Sequence, residues 1–458
     1  MAPIIADTLI NDQSGERMIS AFFKEFRVNT HLRTASTGKS KGIPLGMVFK
    51  LVFLLVFMGK NLYRLIETQA DLPFKQDTVY RFLKATTINW RTFLLRLSAH
   101  IASTAILPLI SSRRSVWVLD TTGYERPRSK QVEGLSRIYD SAKNRFTKGF
   151  RLLTLGITDG ATFLPVAFSF LTSRQEKHQL CPLWEDLDGR TRAHRLRRES
   201  LEKATDRALA LLREAVAVFP GAHTVCFDSW FAFPVFLRNL AELGLDAVCR
   251  VKQTSRVFYY LQGKPVTLVT LYARNQERYR GQQCFSTVVS LSPQEDIPVR
   301  ILFVRSQQQP GEWVALLSTD LSLSAAEILT TYAKRWDIET FFKVAKSTLK
   351  LAREFEVRSL DALVAHTTVV CVRYLMLAVA ARRSTDQRSL GSLFYACCDE
   401  IPDITVTEAL RLVCELFSQI LQEVFRVPSA HIQKSIAAFL SRLPSWLREK
   451  LMIVTCES

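Results

Sequence analysis

The sequence predicts an α/β chain with helical regions at both ends and a β-strand insertion late in its central part. Residues 1–110 carry apolar side chains at three- and four-residue spacing, which is typical of amphipathic helices. Short β-rich runs then alternate with helical patterns, and residues 252–321 alternate apolar and polar side chains in several short strands. Residues 381–458 return to a helical pattern. We therefore place an α/β core in residues 111–251 and 322–380.

Two short basic helices near the N-terminus are a candidate DNA-binding unit. Residues 76–97, QDTVYRFLKATTINWRTFLLRL, contain two helical stretches separated by the polar segment ATTIN, with Asp77 placed to cap the first. Helix pairs of this kind can present one helix to a DNA groove, but they are also common as packing units. Both interpretations stay open, and residues 1–110 are predicted to form a helical DNA-binding region.

The charge balance favours a polyanionic partner. The 458 residues include 61 Lys and Arg against 43 Asp and Glu, which gives a formal net charge of +18 and a pI near 9.6. Such an excess indicates nucleic acid or an anionic membrane face. The longest apolar run, VFLLVFM at 52–58, is far shorter than the roughly 20 residues of a spanning helix. We therefore expect DNA as the partner and no membrane.

The cysteine and histidine patterns argue against a disulfide framework or a zinc site. The nine cysteines include no Cys-x-x-Cys pair, and the seven histidines show no metal-ligand spacing. Reduced cysteines are typical of a cytoplasmic protein. The first residues also lack the basic and apolar stretches of a secretory signal. We therefore expect a cytoplasmic protein.

Two predicted strands end at an aspartate. The β-rich run SVWVLD stops at Asp120, and the run HTVCFDSWF contains Asp228 at the end of its apolar part. After the basic segment RPRSK, two β-rich runs are separated by Asp159 and Gly160, which is a strong hairpin signal. Helices are expected at about 196–219 and 234–244, and a further strand at 246–251.

One predicted helix, YAKRWDIETFFKVAK, carries a polar ridge. Glu339 lies seven positions after Tyr332, and Lys346 lies seven positions after Glu339. All three therefore lie on one side of a helix that advances about 100° per residue. Arg335 lies three residues after the tyrosine and four before the glutamate, at contact spacing. A solvated, salt-bridged face is the ordinary interpretation. Apolar residues flank the ridge on most sides, however. A carboxylate on a mostly buried helix is costly, so its presence there indicates a function.

Two strand-end aspartates and a glutamate on a helix are the ligands that a magnesium site for phosphoryl transfer requires. Mg²⁺ takes oxygen ligands and binds through a few carboxylates together with water and substrate phosphate. Two ions about 3.5–4 Å apart can serve the attacking and leaving oxygens of an in-line displacement. Taken singly, Asp120 and Asp228 could each cap a turn, which strand-end aspartates do more often. Their combination with Glu339 in a basic protein favours the metal site.

These residues resemble the signature of the DDE transposases of the insertion-sequence-four family. That family's Y-(2)-R-(3)-E-(6)-K pattern matches Tyr332, Arg335, Glu339 and Lys346. LDTTGY resembles its first-aspartate strand and FDSWFAF its second, although the residues just after Asp228 are aromatic rather than charged. The resemblance covers the central part of the chain. It implies an RNase H-like catalytic core with an all-β insertion between the second aspartate and the glutamate.

The resemblance also implies a catalytic triad of acids. Asp120, Asp228 and Glu339 would hold two Mg²⁺ ions, with Mn²⁺ able to substitute. The ions would activate water to attack a phosphodiester at a transposon end and then activate the freed 3′-hydroxyl for strand transfer. The excision route in many relatives passes through a DNA hairpin.

Side chains on or near the same helix would hold the DNA. The resemblance implies that Arg335 and Lys346 contact phosphate oxygens near the cleaved bond and that Tyr332 donates its hydroxyl to a phosphate. For the two cations, an ion pair with Glu339 is the alternative. Trp313 lies in the last strand before the helix, like the tryptophan on which relatives stack a flipped base. A strand tryptophan more often belongs to the core.

Three further cations and the C-terminal region complete the predicted contacts. Lys143, Arg145 and Lys148 precede the hairpin and would meet DNA, although solvated cations look no different in a sequence. Pairing two transposon ends requires a homodimer, for which the helical region 381–458 would supply contacts. The DNA partners implied are the terminal inverted repeats of the element and the target duplex.

Three functions are compatible with these residues. The first is a DNA transposase that cuts and joins DNA at the ends of its element. The second is a metal-dependent nuclease, such as a domesticated copy, that cuts without joining and needs the same carboxylates. The third is a non-catalytic DNA-binding regulator. A regulator accounts for the positive charge but not for three spaced acids, because acids near DNA weaken binding unless cations screen them.

Overall fold

The computed structural model describes residues 18–383 except 38–41, 69–73, 107–114, 141–143, 186, 220, 278, 295–296 and 307–310, together with a few scattered residues beyond 383. The chain divides into two compact units. One unit comprises Thr34–Gly38 and Leu83–Arg382. The other is formed by the described residues within Met1–Arg33, Lys39–Phe82 and Arg383–Ser458. Most of the C-terminal region predicted to form dimer contacts lies outside the described residues.

The described N-terminal residues of the smaller unit form helices. Phenylalanine side chains form its core: Phe23 packs edge-on against Phe53 at 5.0 Å between ring centroids, and it also contacts Phe49. Among residues 18–83 that the structure describes, five helices lie in or enter this unit: α1 (Met18–Glu25), α2 (Val28–Thr34), α3 (Leu45–Leu54), α4 (Leu62–Thr68) and α5 (Gln76–Leu83).

The larger unit is built on one twisted sheet of 11 strands. The strands are β1 (Val116–Glu125), β2 (Ser136–Asp140), β3 (Arg145–Thr158), β4 (Phe163–Leu171), β5 (Thr224–Phe227), β6 (Asp246–Val251), β7 (Tyr259–Leu261), β8 (Lys264–Val266), β9 (Cys284–Ser290), β10 (Pro298–Arg305) and β11 (Trp313–Ser318). Their order is β2-β3-β1-β5-β6-β11-β10-β9-β7-β8, with β4 paired to β3.

The centre of this sheet has an RNase H-like arrangement. Strands β4, β3, β1, β5 and β6 lie side by side in that order. Strand β3 is antiparallel to both β1 and β4, whereas β1, β5 and β6 are parallel to one another. Parallel neighbours require crossover connections, and helices supply them here. The predicted α/β class with an RNase H-like core is therefore confirmed.

The hairpin between β3 and β4 is confirmed at the predicted turn. The carboxylate of Asp159 accepts the backbone N–H groups of Ala161 and Thr162 at 2.9 and 2.8 Å, and Gly160 has a φ of +91° that favours glycine. Strand β1 is longer than predicted. It does not stop at Asp120, because β3 pairs with it as far as Glu125.

Eight helices are described in or at the edge of the larger unit. They are α6 (Trp90–Ile101), α7 (Arg192–Ser200), α8 (Ala204–Val216), α9 (Pro234–Glu242), α10 (Leu268–Gln276), α11 (Ala325–Ala333), α12 (Trp336–Ser347) and α13 (Leu360–Arg383). The single helix expected at about 196–219 is wrong, because α7 and α8 are separate. Helix α7 ends where the N–H of Leu201 bonds back to the carbonyls of Arg198 and Glu199.

The insertion between β6 and α11 continues the sheet of the core. Strand β11 pairs antiparallel with β6, and β10 and β9 follow outward. The prediction that this insertion is all-β is wrong in one element, α10. The side chain of Thr267 caps that helix by accepting the N–H of Thr270 at 3.2 Å, and Leu268 and Leu271 are buried beneath it.

Helix α6 is a packing helix of the core. It buries seven of its residues and lies against β4. The Ser98 hydroxyl donates to the carbonyl oxygen of Pro165 at 2.9 Å. Of the two interpretations of the pair at 76–97, this contact favours packing for the second helix.

Helix α13 closes the core on one side. Among the described residues it is the one helix long and apolar enough to cross a membrane, with a mean hydropathy of 1.8, yet 94% of that apolar window is buried inside the protein. Such burial is what a core helix of this composition shows. Helix α13 is therefore a core helix of the larger unit.

Candidate active site

The sheet brings Asp120, within β1, close to Asp228, which directly follows β5. Strands β1 and β5 are parallel, with Leu119 and Phe227 in register, so Asp120 and Asp228 are the next residues on neighbouring strands. The Asp120 side chain accepts the N–H of Thr121 at 2.6 Å, and the Asp228 side chain accepts that of Ser229 at 2.7 Å. Both carboxylates are therefore oriented by their own backbone.

Glu339 reaches the same edge from helix α12. The prediction of a single helix from Tyr332 to Lys346 is wrong. Helix α11 ends at Ala333 and helix α12 begins at Trp336. The N–H groups of Lys334 and Arg335 bond to carbonyls three residues back rather than four, which tightens the last turn of α11. The break leaves Arg335 at the start of α12, four residues before Glu339.

The guanidinium of Arg335 joins two of the three acids. Its Nη1 lies 3.1 Å from Oδ2 of Asp120, and its Nη2 lies 2.5 Å from Oε1 of Glu339. The Arg335 side chain is only 13% exposed. The ion pair with Glu339, which the sequence left as an alternative, therefore exists in this structure. One buried cation holds a strand residue and a helix residue in place.

The carboxylates also act on one another electrostatically. Burial raises the pKa of Asp120 to about 6, Arg335 opposes this rise, and the negative charges of Asp228 and Glu339 add to it. A single guanidinium therefore does not fully compensate the three acids. Any further cation in this cluster would lower the pKa of Asp120 and favour its ionised form.

The other signature residues surround the acidic cluster. Lys346, in the last turn of α12, donates from Nζ to Oγ1 of Thr122 at 2.6 Å, two residues after Asp120. The Tyr332 ring lies 5.7 Å from the guanidinium carbon of Arg335. Burial raises the pKa of Tyr332, so its hydroxyl stays protonated and able to donate.

Trp313 lies in an aromatic cluster of the insertion. Its ring stacks on Tyr272 with 4.4 Å between centroids and an interplanar angle of 9°, and it meets Phe303 edge-on at 5.3 Å. The Trp313 side chain also lines a cavity of about 600 Å³. Ser229, the neighbour of Asp228, lines the same cavity. One face of the indole is therefore covered by Tyr272, and the side chain still borders a cavity that reaches the acidic edge.

The predicted basic residues before the hairpin lie apart from the acids. Arg145 and Lys148 are exposed on the half of β3 that pairs with β2. Thr154 is the register partner of Asp120, so Lys148 is about 20 Å from that point along the strand. Lys143 lies outside the described residues.

Arg151 was not predicted from the sequence. This half-buried arginine on β3 lies with its guanidinium carbon 5.6 Å from the ring of Trp230. Burial lowers the pKa of Arg151, and the carboxylate of Asp120 opposes that change. A lone charged residue within the apolar run FRLLTLGIT was the available signal.

A second missed contact anchors helix α12. The Thr158 hydroxyl donates to Oδ2 of Asp337 at 2.5 Å. Thr158 ends β3, and Asp337 lies in the first turn of α12. The bond therefore fixes the start of the helix that carries Glu339. Neither residue belongs to a motif that points to the other.

The donor set suits a hard divalent cation, since it consists of carboxylates on rigid elements. In the described ranges, no three His, Cys, Asp or Glu side chains stand close enough together to hold one ion. The Arg335 guanidinium instead takes the bridging position between Asp120 and Glu339. Metal binding by these acids therefore requires Arg335 to release at least one of them.

A comparison with known protein families identifies the superfamily of this chain. A family model described as DDE superfamily endonuclease matches residues 53–281, half of the chain, which includes Asp120 and Asp228 and ends before Glu339. No curated protein sequence matches the chain. A cryo-EM structure of the piggyBac transposase synaptic complex with hairpin DNA is similar with a TM-score of 0.44 and 12% identity, over 95% of this chain and 84% of the other. On the family match, the chain belongs to the DDE superfamily of endonucleases.

Proposed function

We propose that this protein is a DNA transposase that cleaves at the ends of its element and transfers the freed strands into target DNA. The observation that carries the proposal is that Asp120 and Asp228 are placed side by side by the register of β1 and β5, with Arg335 joining Asp120 to Glu339. The four-residue pattern of Tyr332, Arg335, Glu339 and Lys346 supports membership of the insertion-sequence-four family. The family match supports DNA cleavage.

The three acids would hold two Mg²⁺ ions, or Mn²⁺ in their place. Bound there, the ions would activate the attacking oxygen and stabilise the leaving oxygen of an in-line displacement. Asp120 and Asp228 approach from neighbouring strands and Glu339 from a helix, so three rigid elements would set the separation of the ions. Divalent metal use is general among endonucleases of this superfamily.

Arg335 would change partners during the reaction. In this structure it neutralises Asp120 and Glu339. Once cations neutralise those acids, its planar guanidinium is available to donate to two oxygens of a DNA phosphate. Lys346 is already held over the first-aspartate strand by Thr122, so it would supply a point charge to the same phosphate region.

The remaining sequence predictions join this proposal. Trp313 would take the flipped base of a hairpin intermediate from the cavity that its side chain borders. Residues 1–110, together with Lys143, Arg145 and Lys148, would bind the terminal inverted repeats or the target duplex. A homodimer with contacts from residues 381–458 would pair two ends in the cytoplasm.

The test uses the full chain, Mg²⁺ and a labelled duplex that carries the inverted repeats flanking the gene. We expect nicked, hairpinned and joined products, each reporting one step of cut-and-paste transposition. Asp120→Asn should keep end binding while cleavage disappears. Cleavage that persists in this variant would overturn the assignment of the acids.

The same experiment separates the nuclease alternative. A nuclease produces cut ends that are never joined to a target, whatever the DNA concentration. A non-catalytic regulator produces binding without any cut. Inverted repeats that match on both sides of the gene would favour the transposase independently of any assay.

A further inference from the structure

A second basic cleft lies beside the candidate active site. One wall is the segment 126–131, which follows β1, and the other is the segment 352–358, between α12 and α13. The cleft has a volume of about 700 Å³. Both walls belong to the same compact unit as the acidic cluster.

Four exposed cations converge on this cleft. Arg128 and Lys130 stand on the first wall, and Arg353 and Arg358 stand on the second. In the part of the chain that the structure describes, no carboxylate pairs with any of the four side chains. Two acids also line the cleft, Glu125 and Glu356. The positive charge therefore exceeds the negative charge and is available to an external anion.

Hydrogen bonds to two main-chain carbonyl oxygens of the second wall tie the walls together. The buried Arg126 donates from Nη2 to the carbonyl oxygen of Phe355 at 2.9 Å. The N–H of Glu133 donates to the carbonyl oxygen of Arg358 at 2.9 Å. A cleft that exists before binding loses little conformational entropy when a ligand enters. The cations are thus presented on a rigid frame.

The cleft continues into the region of the predicted phosphate contacts. Glu125, Ala352 and Arg353 border it and also border a neighbouring cavity of about 430 Å³. That second cavity is lined by Lys346 and Arg151. Positive side chains therefore follow one another from the Lys346 ammonium to the outer end of the cleft.

We propose that this cleft binds the phosphate backbone of the DNA duplex that adjoins the cleaved bond. The proposal rests on the proposed function for the identity of that bond. A polyanion suits unpaired cations in a row, because each phosphate contact releases condensed counterions. A duplex suits the cleft better than a single strand, because no aromatic ring stands among its lining residues and single strands are held mainly by base stacking.

The test compares two triple variants that remove the same charge. Arg128→Ala/Lys130→Ala/Arg358→Ala empties the cleft of three cations. Arg198→Ala/Lys203→Ala/Arg213→Ala removes two arginines and one lysine that are exposed around helices α7 and α8 and line neither cavity. Both are made in the full chain with Asp120→Asn, so that binding is measured without cleavage.

The readout is the dependence of duplex affinity on salt concentration. The slope of log K against log salt concentration is negative. We expect its magnitude to decrease by about 2–3 in the cleft variant, since each lost phosphate contact removes about 0.9. The control variant should keep the parental slope, and both should keep the parental melting temperature. Equal slopes for the two variants would overturn the proposal.

A second arm locates the duplex. A photo-crosslinking residue in place of Lys130 should react with the duplex next to the cut site. Reaction only with a single strand or with an RNA duplex, or preferential reaction with a distant DNA segment, would overturn the proposal. Both arms measure binding, so a protein that binds in this way but never cuts would refute the proposed function and leave the cleft assignment standing.

Discussion

Nη1 of Arg335 lies 3.1 Å from Oδ2 of Asp120, although 215 positions separate the two residues in the chain. The same guanidinium contacts Glu339. A cation that the sequence suggested for DNA is therefore the internal counter-ion of the acids in this structure. The two roles exclude each other at any one moment, which makes their exchange measurable.

Replacing Arg335 should separate metal binding from cleavage. Arg335→Ala removes the cation that competes for Asp120 and Glu339, so Mn²⁺ measured by calorimetry without DNA should bind at least as tightly as in the parent. Cleavage should fall about 100-fold, a loss of about 2.7 kcal/mol of transition-state stabilisation. Arg335→Lys keeps the charge but not the planar guanidinium, so its cleavage rate should lie between those of the parent and the alanine variant. Weaker Mn²⁺ binding in the alanine variant would contradict the exchange.

Lys346 and Thr122 allow a similar separation of charge from position. Lys346→Met should lower the salt slope of DNA binding by about 0.9, because one phosphate contact is lost, and slow cleavage at least tenfold. Thr122→Val keeps the ammonium but removes its 2.6 Å tether, so the salt slope should be unchanged while cleavage slows less. Equal cleavage by Lys346→Met and the parent would exclude Lys346 from the reaction.

Glu354 should make stability depend on pH in an acidic window. The buried carboxylate accepts from Arg373 at 2.7 and 3.0 Å and contacts Nε2 of His366 at 2.9 Å. Burial raises the pKa of Glu354, but Arg373 and His366 outweigh it and lower the pKa from 4.5 to about 2. A carboxyl with a depressed folded-state pKa contributes stability above its unfolded pKa, and this contribution is lost as pH falls through the folded value.

Glu354→Gln should therefore lower the free energy of unfolding by about 3–5 kcal/mol near pH 7, because the buried Arg373 loses its ion pair with Glu354. The difference in free energy of unfolding between parent and variant should stay constant above about pH 5. It should narrow as pH falls from 4.5 towards 2. Urea unfolding across this range measures it. Glu356→Gln, in the same segment but exposed, should change stability by less than about 0.5 kcal/mol. A gap that is flat down to pH 3 would contradict the pKa assignment.

Gly149 should not tolerate a side chain. A Cβ at this position would lie 2.2 Å from the carbonyl oxygen of Tyr124, which is backbone of the paired strand β1. Gly149→Ala should therefore destabilise the protein by about 1–3 kcal/mol in thermal or urea unfolding. Gly189→Ala is the control, since nothing lies within 4 Å of its added Cβ. Similar stabilities of the two variants would show that β1 and β3 can separate at little cost.

The local pattern of the chain predicted most elements of the core. Strand β6 coincides with the run DAVCRV, and the hairpin turn at Asp159 is where a turn residue precedes a glycine. Local patterns were weaker at boundaries. One helix was expected where α7 and α8 are distinct, and a strand-only insertion proved to contain α10, because caps and main-chain bonds decide such ends rather than apolar periodicity.

Aromatic residues show the same limit. Trp336 is a large aromatic residue directly after Arg335, where packing is the ordinary expectation, but it is 63% exposed. Trp313 is partly covered by Tyr272, which lies in α10 and could not be paired with it by spacing. Which face of a helix is buried depends on what packs against it, and that partner is remote in the chain.

By itself the sequence determined the residue types and their spacing: two aspartates that follow β-rich runs, a glutamate four residues after an arginine, and an excess of basic side chains. These follow from local periodicity, which depends on neighbours within a few positions. Only the tertiary structure decided that Arg335 pairs with Asp120 as well as Glu339, that Thr122 holds Lys346, and that two separate segments form one basic cleft. Such contacts depend on strand order and register, which bring together residues more than 200 positions apart.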